Sequence, residues 1–245
     1  IVKTFATDLG LSHNFDLEMD SYKIIQPVIA LLLSKVSNDG GDISDALVNF
    51  ALEKADNGKS TNIERDLEEF AQQLFNEKIT QFTENKLLSV KECLNVKLIL
   101  QKEKVVLKHK IEGLANLVST YFDENGLTKE HFKSGTFYNH FKLKLGSKDD
   151  SKWIPATTFF TNINNDEWYA SGKSLEIKML VDSLKSELIE FSNTMISLLT
   201  DYNSVKAVLS NIYSVAIINE LLNEIKIFKR DHNIEQISEF NKKIH

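Results

Sequence analysis

Cysteine occurs once, proline twice and glycine nine times in these 245 residues, and each scarcity excludes something. A single thiol, Cys93, leaves no internal disulfide framework and fits a reducing compartment. It lies in a strongly helical stretch, where a buried structural thiol is the commoner role than a reactive one. Sheet proteins of this size place Gly and Pro at many turns, so their scarcity favours a few long helices. No apolar run reaches the roughly 18 residues that a membrane-spanning helix needs. The longest, Val28–Leu33 and Val215–Ile218, are core-helix material. The start lacks a basic segment leading to a small-residue cleavage site, so no signal peptide is expected there and a cytoplasmic location is. The chain opens on Ile1 without methionine and closes on Lys242-Lys243-Ile244-His245, so both ends read as cut from something longer.

What is present is globular in composition, with 42% apolar and 26% charged residues. The length permits one large domain or two small ones, and the expectation is one all-α domain over 1–245. The net charge of −6 hides an asymmetry. Between Lys86 and Lys148 twelve lysines face six acids, so the remainder is acidic. Such a segment fits either a localised polyanion contact or an ordinary solvated helix face.

Apolar spacing places the helices. Ser21 to Val36 carries Ile24, Ile25, Val28, Leu31 and Leu32 on one face, with Pro27 predicting a kink or a later start. Asn38-Asp39-Gly40-Gly41 breaks the chain before a helix over Asp42 to Lys54. Thr61-Asn62-Ile63-Glu64 has the form of a capping box, followed by Leu67, Phe70, Leu74 and Phe75 as a stripe. Ser89 to Glu124 contains no proline and one glycine, Gly113, and predicts a helix of about 50 Å at 1.5 Å per residue. Its stripe is Leu94, Leu98, Val105, Ile111, Leu114 and Val118, and Gly126 suits the position just past its end. From Leu127 to Tyr169 aromatics lie among polar breaks without a period, which predicts short helices and loops. Ser174 to Thr200 and Ser204 to His232 read as two more long helices. The type of the last segment, Ile234 to Ile244, is left open. The architecture expected is long antiparallel helices with a compact aromatic-rich elaboration.

The search for catalytic chemistry returns little. Asn57-Gly58-Lys59-Ser60-Thr61 resembles the end of a phosphate-binding loop, but the glycine needed five residues before Gly58 is Glu53. The six histidines, His13, His109, His131, His140, His232 and His245, show neither His-x₃-His spacing nor a close cysteine, so zinc has no support. The acidic pairs Glu68-Glu69, Asp123-Glu124 and Asp149-Asp150 fall at helix surfaces or turns, and no Gly-x-Ser-x-Gly elbow exists. No catalytic, cofactor-binding or metal residue is assigned.

The best functional segment is His131–Lys148, which holds four lysines and no acid. Lysines neutralise phosphates, hydroxyls and amides fix register, and aromatics stack on bases. The DNA-contact candidates are therefore Lys133, Ser134, Thr136, Tyr138, His140, Lys142, Lys144 and Lys148. The alternative is that the aromatics are core and the lysines keep a surface solvated.

Several strings together resemble a known family. Phe5-Ala6-Thr7-Asp8-Leu9-Gly10-Leu11, followed by Phe15-Asp16-Leu17 and Asp20, is similar to the stretch just after the first helicase motifs of UvrD-type (AddA- or RecB-like) superfamily 1 enzymes, of the variety found in Bacteroidetes-like bacteria. Phe50-Ala51-Leu52-Glu53-Lys54 leading to Asn57-Gly58-Lys59-Ser60 resembles a further block of that family. So do Leu209-Ser210-Asn211-Ile212-Tyr213-Ser214 and Ile237-Ser238-Glu239-Phe240-Asn241-Lys242.

The resemblance implies the helical insertion (subdomain 1B) of a first motor domain, with residues 1–16 leading in from the motor and 233–245 returning to it. It further implies sequence-independent contact with duplex or single-stranded DNA. The parent would be an ATP-dependent DNA helicase or exonuclease of repair and recombination, using ATP and Mg. Its partners would be the rest of the motor and a nuclease domain or subunit. The Walker lysine, Walker B carboxylates, arginine finger and nuclease carboxylates are all absent here, so no cofactor is expected in this chain. The His131–Lys148 segment lies outside the matched strings, so its candidacy rests on charge and chemistry alone. The second reading kept open is a helical scaffold that docks a partner subunit.

Overall fold

A run of buried positions with helical spacing opens the structure: Ile24, Ile25, Val28, Ile29 and Leu32 line one side of α1 (Tyr22–Asn38). The computed structural model describes residues 15–38, 41–56, 58, 60–75 and 88–236. The strings Phe5–Leu11 and Ile237–Lys242, and residues Asn57 and Lys59, lie outside the described residues. The all-α expectation holds. Helices α2 (Asp42–Asp56) and α3 (Ile63–Leu74) follow, then the long α4 (Val90–Glu124). Short 3₁₀ turns at Lys129–His131 and Lys133–Gly135 lead into α5 (Thr136–Asn139), which runs on as a π-helical turn over His140–Lys144. A 3₁₀ turn at Asp150–Trp153 precedes α6 (Thr157–Asn164), α7 (Leu175–Ser183), α8 (Lys185–Leu209) and α9 (Ile212–Asp231). The described exception to helix is a two-stranded parallel ladder, β1 (Asp16–Glu18) with β2 (Ile234–Gln236), in register Asp16 to Ile234.

The chain divides into two compact units, one of Ile1–Leu98 with Ser210–His245 and the other of Ile99–Leu209. In the first, α1, α2, α3, the start of α4 and α9 share one apolar core. Cys93 lies in that core with 0% exposure, and burial pushes its thiol pKa up, which keeps it protonated and inert. Among the described residues the one charged group buried there, Glu224 on α9, is answered by Lys35 on α1 at 2.5 Å. In the second unit the core is aromatic. Phe122 of α4 packs against Phe132, Phe137, Tyr138 and Phe141, and Phe137 against Phe159 and Trp168. Such offset and edge-to-face pairs add to the gain from area alone, which explains how a segment without period still folds.

Several sequence expectations are corrected. Helix α1 continues through Pro27, and Leu31 is exposed while Ile29 is buried. The cap of α3 is Asn62, one residue later than Thr61, and its side chain accepts from the Arg65 amide at 3.1 Å. On α4, Leu98 and Val105 face solvent, and Leu107 and Phe122 join Ile111 and Val118 inside. The helix read over Ser174 to Thr200 is two helices with a break at Leu184 (φ −106°, ψ 6°). The boundary at Thr200–Ser204 is no boundary. The Thr200 and Ser204 hydroxyls bond back to the carbonyls of Ile196 and Thr200, and Leu199 and Tyr202 are buried, so α8 runs on to Leu209.

Candidate nucleic-acid interface

Two successive left-handed residues shape the start of the lysine-bearing segment: Ser134 (φ 54°) and Gly135 (φ 62°). A Cβ on Gly135 would fall 2.5 Å from Cγ of Lys129, so glycine lets the Lys129 stem cross the turn. The turn is fastened by the Lys133 amide, which donates to the Trp168 carbonyl at 2.7 Å, and by the Thr136 hydroxyl, which donates to the Lys133 carbonyl. The same hydroxyl accepts from Asn162, so Thr136 ties α5 to α6. His131 closes the preceding turn, its Nδ1 accepting from the Thr128 amide at 2.8 Å.

The structure separates the sequence-derived candidates into three groups. Ser134, Lys144 and Lys148 are exposed. Among the described residues, neither Lys144 nor Lys148 is paired with a carboxylate. Lys133 and Lys142 are half-buried and engaged, Lys133 with Glu167 and Lys142 with Asp123, each at 2.7 Å. The Lys133 ammonium in turn holds the Glu167 carboxyl below its ordinary range. Thr136, Tyr138 and His140 face inward. Tyr138 stacks on Phe122 with centroids 5.3 Å apart. His140 is 2% exposed, against Phe141 and Phe159, with neither ring nitrogen hydrogen-bonded. Burial first, and the Lys144 charge second, push its pKa down to about 4, so the ring is neutral near pH 7.

The exposed lysines have company that segment-by-segment reading missed. Gly146 (φ 76°) turns the loop tightly against α4: a Cβ there would sit 3.3 Å from that of Ala115 and 3.4 Å from Cα of Glu112. The loop carrying Lys144 and Lys148 is thus seated one helical turn from Lys108 and His109. Lys129 is exposed as well. The signal available in the sequence was the lysine excess across Lys86 to Lys148 as a whole, rather than any short motif. Trp153 anchors the loop's far side, its indole N–H donating to the Ser147 carbonyl at 2.8 Å.

The arrangement can place several ammonium groups on a rigid surface. Among the described residues no cluster of three His, Cys, Asp or Glu is placed to hold a metal, and no single helix is long and apolar enough to cross a membrane. No protein-family model, curated protein or solved structure matches this chain.

Proposed function

We propose that this chain is a DNA-contacting helical insertion of an ATP-dependent helicase of the UvrD type, acting by positioning rather than by chemistry of its own. The observation that carries the DNA part of this reading is the unpaired lysine surface. Lys129, Lys144 and Lys148 are exposed, and Gly146 seats the loop of Lys144 and Lys148 against α4 at Glu112 and Ala115. Charges of this kind, on a loop fixed by Trp153 and Gly146, meet phosphates without reading sequence.

The insertion part is supported by the β1–β2 ladder. Two parallel three-residue strands are too few to be stable alone, and parallel sheets normally occur inside larger, covered ones. Every other described element lies between these two strands in the chain and is helical. A parent sheet that continues the ladder would receive the helical units as one long crossover.

Titration of the chain with labelled duplex and single-stranded oligonucleotides at low salt tests the reading. Weak, sequence-independent binding is expected, falling steeply with added salt. Indifference to both nucleic acids, unchanged when Lys129, Lys144 and Lys148 are replaced by Glu, would sink it.

A further inference from the structure

The Asp150 carboxylate draws two donors from one helix and faces a further cation from another. Its Oδ2 accepts from the Tyr202 hydroxyl at 2.9 Å and from the Lys206 ammonium at 2.7 Å, both on α8. Lys104 of α4 lies over the Tyr202 ring, its Nζ 5.9 Å from the centroid. The Lys206 hydrogen bond first, and the Lys104 charge as a smaller contribution, hold the Asp150 carboxyl below its usual range. Two ammonium groups thus converge on this carboxylate, and among the described residues Lys104 is not paired with a carboxylate of its own. The acids beside these residues in sequence are engaged or turned away. Asp149 pairs with Lys152 and caps the turn that Asp150 begins. Glu103 and Asp201 are exposed, about 100° around their helices from Lys104 and Tyr202. The pair is also open to water: the Asp150 side chain is 28% exposed and that of Lys206 44%, and ion pairs so solvated are weak. Trp153, buried against the Tyr202 ring, holds the turn without help from the carboxylate.

We infer that Lys104, Lys206 and the Tyr202 hydroxyl form a binding site for one backbone phosphate of a polynucleotide, which Asp150 fills while no polynucleotide is bound. This rests on the DNA-contact reading and extends its surface from the loop onto α4 and α8. A phosphodiester carries two unesterified oxygens, one for the Lys206–Tyr202 pair and one for Lys104, and lysine binds phosphate as a mobile point charge. Continuity favours a polynucleotide over a free phosphate. Lys148 is exposed two residues before Asp150, no more than about 7 Å of extended chain away. A strand whose phosphates meet Lys144 and Lys148 therefore passes beside this site, and each phosphate so neutralised releases counterions. A free phosphate would gain nothing from that row.

Fluorescence anisotropy of the whole chain with labelled single-stranded and duplex oligonucleotides, over a salt series, tests the site. Asp150→Asn keeps an oxygen for the Tyr202 hydroxyl and removes the competing charge, so affinity at low salt should rise at least about threefold. Asp201→Asn removes the same charge one residue from Tyr202 and should change little. Lys104→Gln with Lys206→Gln should abolish the Asp150→Asn gain and lower the log–log salt slope by about one phosphate contact, roughly 0.9 for duplex. Melting curves confirm that each variant is folded at the titration temperature, and the contrast of Asp150→Asn with Asp201→Asn decides the matter even if the lysine pair is not. A gain no larger than that of Asp201→Asn, or one that survives loss of both lysines, would overturn the inference and leave the DNA reading standing on Lys129, Lys144 and Lys148. Absence of oligonucleotide binding by both the parent and Asp150→Asn would end both. Polyglutamate competing as well as an oligonucleotide of equal charge would assign the site to acidic protein instead. Saturable binding of inorganic phosphate to Asp150→Asn, with no gain for oligonucleotides, would make it a free-anion site, and either result overturns the inference.

Discussion

The hydroxyl of Tyr202 on α8 donates to the Asp150 carboxylate at 2.9 Å, and Lys206, one turn further along, reaches the same oxygen at 2.7 Å. Trp153 packs on the Tyr202 ring with centroids 5.0 Å apart, so this one tyrosine joins the loop after the lysine-bearing segment to α8. Burial, and then the hydrogen bond to Asp150, raise the Tyr202 pKa to about 12. A raised folded-state pKa contributes stability that is complete below the unfolded value near 10 and is lost as pH rises through about 12. Tyr202→Phe should therefore flatten the alkaline limb of the stability curve and cost about 1 kcal/mol at neutral pH. Urea denaturation between pH 8 and 11.5 measures both.

His140 gives the opposite limb. Its folded-state pKa is about 4 against an ordinary 6.5, so the unfolded chain takes up the proton first as pH falls. The stability it contributes is whole above pH 6.5 and is lost between there and about 4, a loss on the order of 3 kcal/mol. His140→Phe removes two buried nitrogens that have no hydrogen-bond partner and keeps a ring beside Phe141 and Phe159. We expect it to be more stable than the parent by about 1 kcal/mol at pH 7 and to lose most of the acid limb. A variant that is less stable at pH 7 would mean the nitrogens are satisfied in solution.

How much of this was legible in the sequence follows the range of the interactions. Helix α4 was legible almost to the residue, because an absence of proline and one left-handed glycine, Gly126, are local signals. The break at Leu184 was not, since no Gly or Pro marks it, and neither was the continuity of α8 past Thr200, which depends on burial of Tyr202 against a distant loop. The candidate segment was legible as a place but not as a set of roles. Alternating lysines and aromatics cannot show that His140 turns inward or that Asp123 and Glu167 already hold two of the lysines. The β1–β2 pairing joins residues more than two hundred positions apart and left no local signal.

Those roles separate the lysines experimentally. Lys144→Glu with Lys148→Glu should leave thermal stability within about 0.5 kcal/mol, because exposed unpaired charges contribute little. The same pair should lower the salt dependence of DNA binding by up to about two phosphate contacts, roughly 0.9 per contact in the log–log slope for duplex. Lys133→Glu with Lys142→Glu sets each new carboxylate beside Glu167 and Asp123, so it should lower the melting temperature as well as weaken binding. Fluorescence anisotropy across a salt series, with melting curves for each variant, checks the contrast.

Gly113, inside α4, and Gly146, packed against it, should respond to alanine with opposite signs. At Gly113 the helix is regular and the space for a Cβ is empty, so Gly113→Ala should stabilise the free protein by up to about 1 kcal/mol through helix propensity. At Gly146 the backbone is left-handed (φ 76°), and a Cβ would press on Ala115 and on the α4 backbone at Glu112. Gly146→Ala should therefore cost about 1–2 kcal/mol, from the conformation and from displacement of the loop. The loop so displaced carries Lys144 and Lys148, so DNA binding should weaken in Gly146→Ala and be untouched in Gly113→Ala. Urea midpoints at constant slope, paired with the same anisotropy titration, read both effects. Equal shifts at the two sites would show that the loop is not held against α4 by close backbone approach.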